Sequence, residues 1–97
     1  MKPTIAEITN AVCSAFKLED WMLKGRESHR HISRPRAIAF LLAADAGATH
    51  GTIARQFKRD RSTVSAAIAS TRASIATDFN TAVKIEALRF ILGRKTA

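Results

Sequence analysis

Four consecutive polar residues, Lys58-Arg59-Asp60-Arg61, stand between two small apolar groups. Ile53, Ala54 and Phe57 precede them, and Val64, Ala67 and Ile68 follow. Each group has the spacing of one helical face. The gap suits a tight turn between two helices packed at a steep angle, with the small Ala54 at their closest approach. A second helix starting near Asp60 or Arg61 offers Arg61, Ser62, Thr63 and Ser65 outward. Cationic and short hydroxyl side chains at a helix start suit hydrogen bonding in a DNA groove. The chemistry legible here is recognition by donors and acceptors, with no bond broken.

Three residues in this stretch carry a second reading. Ser62 and Thr63 can satisfy free amides in the first helical turn, and first-turn residues of a recognition helix can also reach bases. Asp60 can be the helix cap, or its carboxylate can accept from a cytosine amino group.

A second cationic segment lies upstream: Lys24, Arg26, Arg30, Arg34 and Arg36, with His29 and His31, opposed only by Glu27. Sixteen Lys and Arg against eight Asp and Glu give the 97-residue chain a formal charge of +8. Nine of the sixteen fall in this segment and in 55–61. Clustering of that kind points to a polyanion, with nucleic acid ahead of an anionic membrane. No apolar run approaches the roughly 18 residues of a membrane span. The N-terminus has no signal-peptide stretch.

The lone Cys13 forms no internal disulfide and fits a core face in a reducing cytoplasm. The expected localisation is cytoplasmic and nucleoid-associated. His29, His31 and His50 have no cysteine or carboxylate at a spacing that completes a metal site. The phosphate-loop pattern GxxxxGK followed by Ser or Thr is absent, and no serine has an evident base. No enzyme activity, metal, nucleotide or other cofactor is expected.

The elements that must position these groups are helical. Alanine is abundant, Gly and Pro are few, and β-branched runs are missing. Thr4 and Glu7 form a capping box for a helix over about 4–16, with Ile5, Ile8, Val12, Ala15 and Phe16 on one face. A turn or two over 18–23 packs Trp21 and Leu23 over that helix. A basic loop leads to a third helix over 34–46, with Ser33 as cap, Pro35 in the first turn, and Gly47 at the end. The paired helices span about 50–57 and 61–75. Asp78 caps a last helix over 79–92, with Phe79, Val83, Ala87, Phe90 and Ile91 inward, and residues 93–97 fray. The expected fold is all-α, one compact domain over 1–97 of five or six helices with a helix-turn-helix at about 50–75.

The run Ile32-Ser33-Arg34-Pro35-Arg36-Ala37-Ile38-Ala39, followed by Arg59-Asp60-Arg61-Ser62-Thr63-Val64, resembles the C-terminal DNA-binding domain of the bacterial replication initiator DnaA. That family carries an ARPRQ-like helix start and a GGRDHTTV-like signature. The resemblance covers roughly 5–92 and implies a fold related to the Trp repressor group. It implies recognition of a short asymmetric duplex site by a monomer. By position, Asp60, Arg61, Ser62 and Thr63 match residues that reach bases in the major groove. Arg34 matches an arginine in the minor groove. Lys24, Arg26 and Arg30 match the loop that touches phosphates, and His50 and Gly51 lie where the first helix meets the backbone or a thymine methyl. Arg36, Lys58, Arg59 and Ser65 stand beside these as further backbone contacts.

The chain departs from the family pattern at named places. Arg61 replaces the signature histidine, Ser62 replaces its first threonine, and Lys58 stands where a glycine is missing. The connection before the first of the paired helices is about one residue shorter. Arg61 can favour a guanine, and Ser62 lacks the methyl that would face a thymine. The expected partner is double-stranded DNA, in control of replication or transcription. The alternatives are a helix-turn-helix module of a transposase or repressor lineage, and a protein-interaction module that binds the initiator.

Overall fold

The computed structural model describes residues 2–26 and 29–96, with side chains as far as Gly93. Glu27, the one acid expected to oppose the basic segment, lies outside the described residues. Six helices follow one another: α1 (Ile5–Phe16), α2 (Asp20–Lys24), α3 (Arg30–Asp45), α4 (His50–Phe57), α5 (Arg61–Ile75) and α6 (Phe79–Thr96). There is no strand among the described residues.

α1 begins as its sequence dictates. Thr4 Oγ1 accepts from the Glu7 amide at 3.1 Å, and Glu7 Oε1 accepts from the Thr4 amide at 2.8 Å. The helix ends at Lys17 in the left-handed region, φ 57°. Ile8, Ala11, Val12 and Cys13 face the core. Burial first, then the negative charges of Asp20 and Glu19, raise the Cys13 thiol above its ordinary value.

α2 corrects one expectation. Leu23 is fully buried, but Trp21 is 64% exposed. Two residues apart on a helix point about 200° from each other, so one short turn cannot bury both.

α3 runs through the centre of the molecule, with every residue from Ile38 to Ala43 buried. It starts at Arg30 behind His29, a full turn before the expected cap at Ser33. Pro35 therefore sits inside the helix, where it removes the amide that would bond the carbonyl four residues back. The extra turn carries Ile32 into the core, and Pro35 is itself buried. Gly47, at φ 102°, closes the helix, with its amide on Ala44 O and the Ala48 amide on Ala43 O. Only glycine adopts that φ at little cost.

α4 and α5 have the expected bounds. Ile53, Ala54, Phe57, Val64 and Ile68 close the angle between them, and the Phe57 ring meets Phe40 of α3 edge to face at 5.0 Å. α6 starts behind Asp78, but its expected inward face is the wrong one. Thr81, Ile85, Leu88 and Leu92 are buried, whereas Phe79 is 80% exposed and Val83, Phe90 and Ile91 are exposed too. The helix carries two apolar sets at helical spacing on opposite sides. Periodicity alone cannot choose between them. α6 also runs on to Thr96, past the expected end at 92.

Candidate nucleic-acid interface

The start of α5 is built by the turn before it. α4 ends at Lys58, which adopts the left-handed region at φ 55°. The Arg59 amide returns to Ala54 O at 2.8 Å, closing the turn. Asp60 takes the extended conformation of a cap, and its carbonyl accepts the Val64 amide. Its carboxylate, however, makes no capping bond. Asp60, Arg61, Ser62 and Thr63 are all exposed. None of their side chains has a hydrogen-bond or ion-pair partner among the described residues. Asp60 thus holds the cap position by its backbone alone, and no side chain of Asp60, Ser62 or Thr63 satisfies a free amide of the first turn. Four polar side chains stand unoccupied at a helix N-terminus, where the free amides and the helix dipole favour anionic partners.

Further along α5, Ala66, Ala69 and Ala73 are exposed and Ile68 and Thr71 are buried. The outer face is therefore shallow. Ser65 is half-buried, and its Oγ lies 2.6 Å from His50 Nδ1. That contact fixes the first turn of α4 against α5. Thr49 caps α4, accepting from the Thr52 amide at 3.1 Å. At Gly51 an added Cβ would meet nothing closer than Thr49 Oγ1, at 4.0 Å. The fold does not itself require glycine there.

The basic segment divides into two kinds of residue. Arg26, Arg30 and Lys58 are exposed, without side-chain partners among the described residues. Lys24 has a loose ion pair with Asp20 one turn back, at 3.5 Å. Arg36 and Arg59 are different. Arg36 is only 7% exposed, and its guanidinium donates to the carbonyls of Leu23 (2.6 Å), Met22 (3.0 Å) and Gly25 (3.1 Å). Arg59 donates to the same Gly25 carbonyl and, at 3.0 Å, to Phe57 O. Both were expected to touch the DNA backbone. In this structure both fasten the end of α2 and Gly25 to α3 and to the α4–α5 turn. The last carbonyls of a helix have no intrahelical partners and need other donors, and a guanidinium supplies several in a fixed fork.

Gly25 reads in the sequence only as a loop residue, and the structure gives it a sharper role. A Cβ there would lie 2.8 Å from Trp21 O, so glycine is required by close approach of the backbone. Asp78 was read only as a cap. It does cap α6, with Oδ1 accepting from the Thr81 amide at 3.3 Å and Oδ2 from the Thr81 hydroxyl at 2.8 Å. It also binds Arg34, whose Nη1 lies 3.0 Å from Asp78 Oδ2. The Thr81 hydroxyl and amide, and then the Arg34 charge, hold the Asp78 carboxyl below the ordinary carboxylate value.

The helical pair, its unoccupied polar start and the cationic segment fastened beside it decide the comparison. A family model for the bacterial DnaA protein helix-turn-helix matches residues 5–70. The chain belongs to that family. A search of curated proteins returned no match. DnaA helix-turn-helix membership makes this a DNA-binding module, and the matched residues run from α1 into α5. Lys58, where the signature has glycine, keeps the left-handed backbone that glycine would adopt.

Among the described residues no three His, Cys, Asp or Glu side chains group as a metal site. His29 and His31 stack on each other at 5.7 Å, while His50 is engaged by Ser65. No helix among the described residues is long and apolar enough to cross a membrane.

Proposed function

We propose that this chain is a sequence-specific binder of double-stranded DNA that acts in control of replication or transcription. The N-terminal half of α5 enters the major groove. Asp60, Arg61, Ser62 and Thr63 read base edges there, with Arg61 taking a guanine through its O6 and N7. Arg34 reaches the adjacent minor groove. Lys24, Arg26, Arg30, Lys58, His50 and Gly51 lie along the phosphates, with Ser65 holding His50 in place.

The observation that carries this reading is the state of the α5 start. All four side chains are exposed and have no partner among the described residues, so their donors and acceptors are available to base edges. The alanines on the outer face of α5 support it, since small side chains let a helix backbone sit deep in a groove. Gly51 supports it too, because the fold leaves space there and glycine in a helix costs about 0.5–1 kcal/mol relative to alanine.

Fluorescence anisotropy tests the reading with three labelled duplexes at two salt concentrations: the DnaA box, a scrambled box and a random pool. Selection of binding sites from random DNA completes it. The expected result is a preferred site with at least one guanine substituted relative to the DnaA box. Equal binding to every sequence would overturn base reading, and no binding to any duplex would overturn the function.

A further inference from the structure

Among the arginines of the basic segment that face solvent, Arg34 is set apart by a carboxylate. Arg26 and Arg30 have no acidic partner among the described residues. Arg34 lies 3.0 Å from Asp78, a residue 44 positions away and outside the stretch matched by the family model. The two ends of this pair are not equally free. Asp78 is fixed by Thr81 through both its oxygens, as the cap of an 18-residue helix. Arg34 is a long side chain, 53% exposed, at the rim of a polar cleft that also includes Arg30, Ser33, Ser70 and Ser74. The carboxylate is the anchor, and the guanidinium is what it places.

Resting on the DNA-binding reading above, we propose that Asp78 is a specificity-determining residue that positions Arg34 and withholds it from indiscriminate phosphate binding. An arginine that neutralises a phosphate releases counterions whatever the sequence, and this raises affinity for all duplexes alike. An arginine tied to a carboxylate is a neutral pair and adds little to that term. Its carboxylate also repels any phosphate that approaches the pair. Arg34 then contributes where a groove offers acceptors at the place where Asp78 holds it. The floor of an A·T-rich minor groove is such a place, because it presents the N3 and O2 acceptors of the base pairs. Asp78 thus lowers affinity for random DNA and widens the gap to the preferred site.

The test is Asp78→Asn in the full chain. Asparagine still caps a helix, so α6 keeps its start, which circular dichroism and the melting temperature check. Binding is measured to the selected site and to the random pool across a salt series. The expected result is tighter binding to the random pool and a smaller ratio between the two duplexes. The slope of log K against log salt steepens by about 0.9, the increment of one added phosphate contact. In an Arg34→Ala background the same change loses this effect. An unchanged slope and ratio in Asp78→Asn, with wild-type DNA binding intact, would overturn the proposal and leave the DNA-binding reading standing. So would an effect of equal size in the Arg34→Ala background, which would make it long-range charge alone. A wild-type chain that binds no duplex would sink both.

Discussion

His50 Nδ1 lies 2.6 Å from Ser65 Oγ, joining the first turn of α4 to the second turn of α5. The contact spans the helix-turn-helix at its open side, away from the apolar angle formed by Ile53, Phe57, Val64 and Ile68. Ser65→Ala should cost about 0.5–1.5 kcal/mol of stability, the range for one hydrogen bond. Urea denaturation of the two proteins measures it. Duplex affinity should fall with it, because α4 loses its fixed angle to α5. An unaltered midpoint would mean that the contact contributes nothing.

Lys58 supplies the sharpest prediction from backbone geometry. Its left-handed conformation costs a residue with a Cβ about 1–2 kcal/mol. Lys58→Gly should therefore raise stability by about 1 kcal/mol while weakening DNA binding, since a phosphate contact goes with the side chain. Lys17 has the same conformation at the end of α1. Lys17→Gly should give a similar gain in the urea midpoint with no change in DNA affinity. Loss of stability in both variants would contradict the strain argument.

Arg36 and Arg26 should behave in opposite ways. Arg36→Ala strands the carbonyls of Met22 and Leu23, leaves Gly25 O to Arg59 alone, and should cost about 2–3 kcal/mol of stability. Arg36→Lys should rescue little of it, because an ammonium lacks the planar fork. Arg26→Ala should leave the urea midpoint in place, weaken all duplexes alike and flatten the salt slope. The pair of measurements separates a fastening arginine from a phosphate-binding one.

Arg61→Ala should cost about 1–3 kcal/mol at the preferred site and relax discrimination at one base pair. Uniform weakening of every sequence would show that Arg61 binds phosphate only. Competition assays with single-substitution duplexes distinguish the two.

Asp78 gives a pH dependence with a definite sign. Its folded-state value is depressed, chiefly by the Thr81 hydroxyl and amide and then by Arg34. Folding is therefore favoured by the ionised form. That contribution is fully present above the ordinary carboxylate value and is lost as pH falls through the depressed folded value. Melting temperatures followed downward from neutral pH should fall over this acid range, and Asp78→Asn should fall less steeply there. Parallel curves would contradict it.

Local rules read much of this fold. The Thr4–Glu7 capping box, the bounds of α4 and α5 and the turn at 58–60 depend on neighbours in sequence, and each was visible there. Where tertiary packing chose between local options, the sequence was silent. Pro35 marks a first turn by local rules, yet burial of Ile32 moved the start of α3 upstream. α6 offered two apolar faces, and the groove between α1 and α5 took the one with Ile85, Leu88 and Leu92. At the interface, the residue types at the α5 start pointed to exposed donors and acceptors. Arg36 and Arg59 did not announce their roles, because a guanidinium that binds a phosphate and one that binds a carbonyl look alike in a sequence. Gly25 likewise reads as a loop residue in the sequence, and only the folded backbone shows the close approach that requires it.

The fastening by Arg36 and Arg59 also sets an order of events. The carbonyls of Met22, Leu23 and Gly25 are met by side chains from as far as 34 residues away, so the end of α2 depends on distant partners for its place. Its last carbonyls are satisfied only when α3 and the α4–α5 turn have come together. The cationic surface around Lys24 and Arg26 is therefore expected to mature late in folding, and early protection of these amides in pulsed hydrogen exchange would contradict it. A chain that has collapsed but not finished carries its full +8 charge without the arrangement that makes the charge selective.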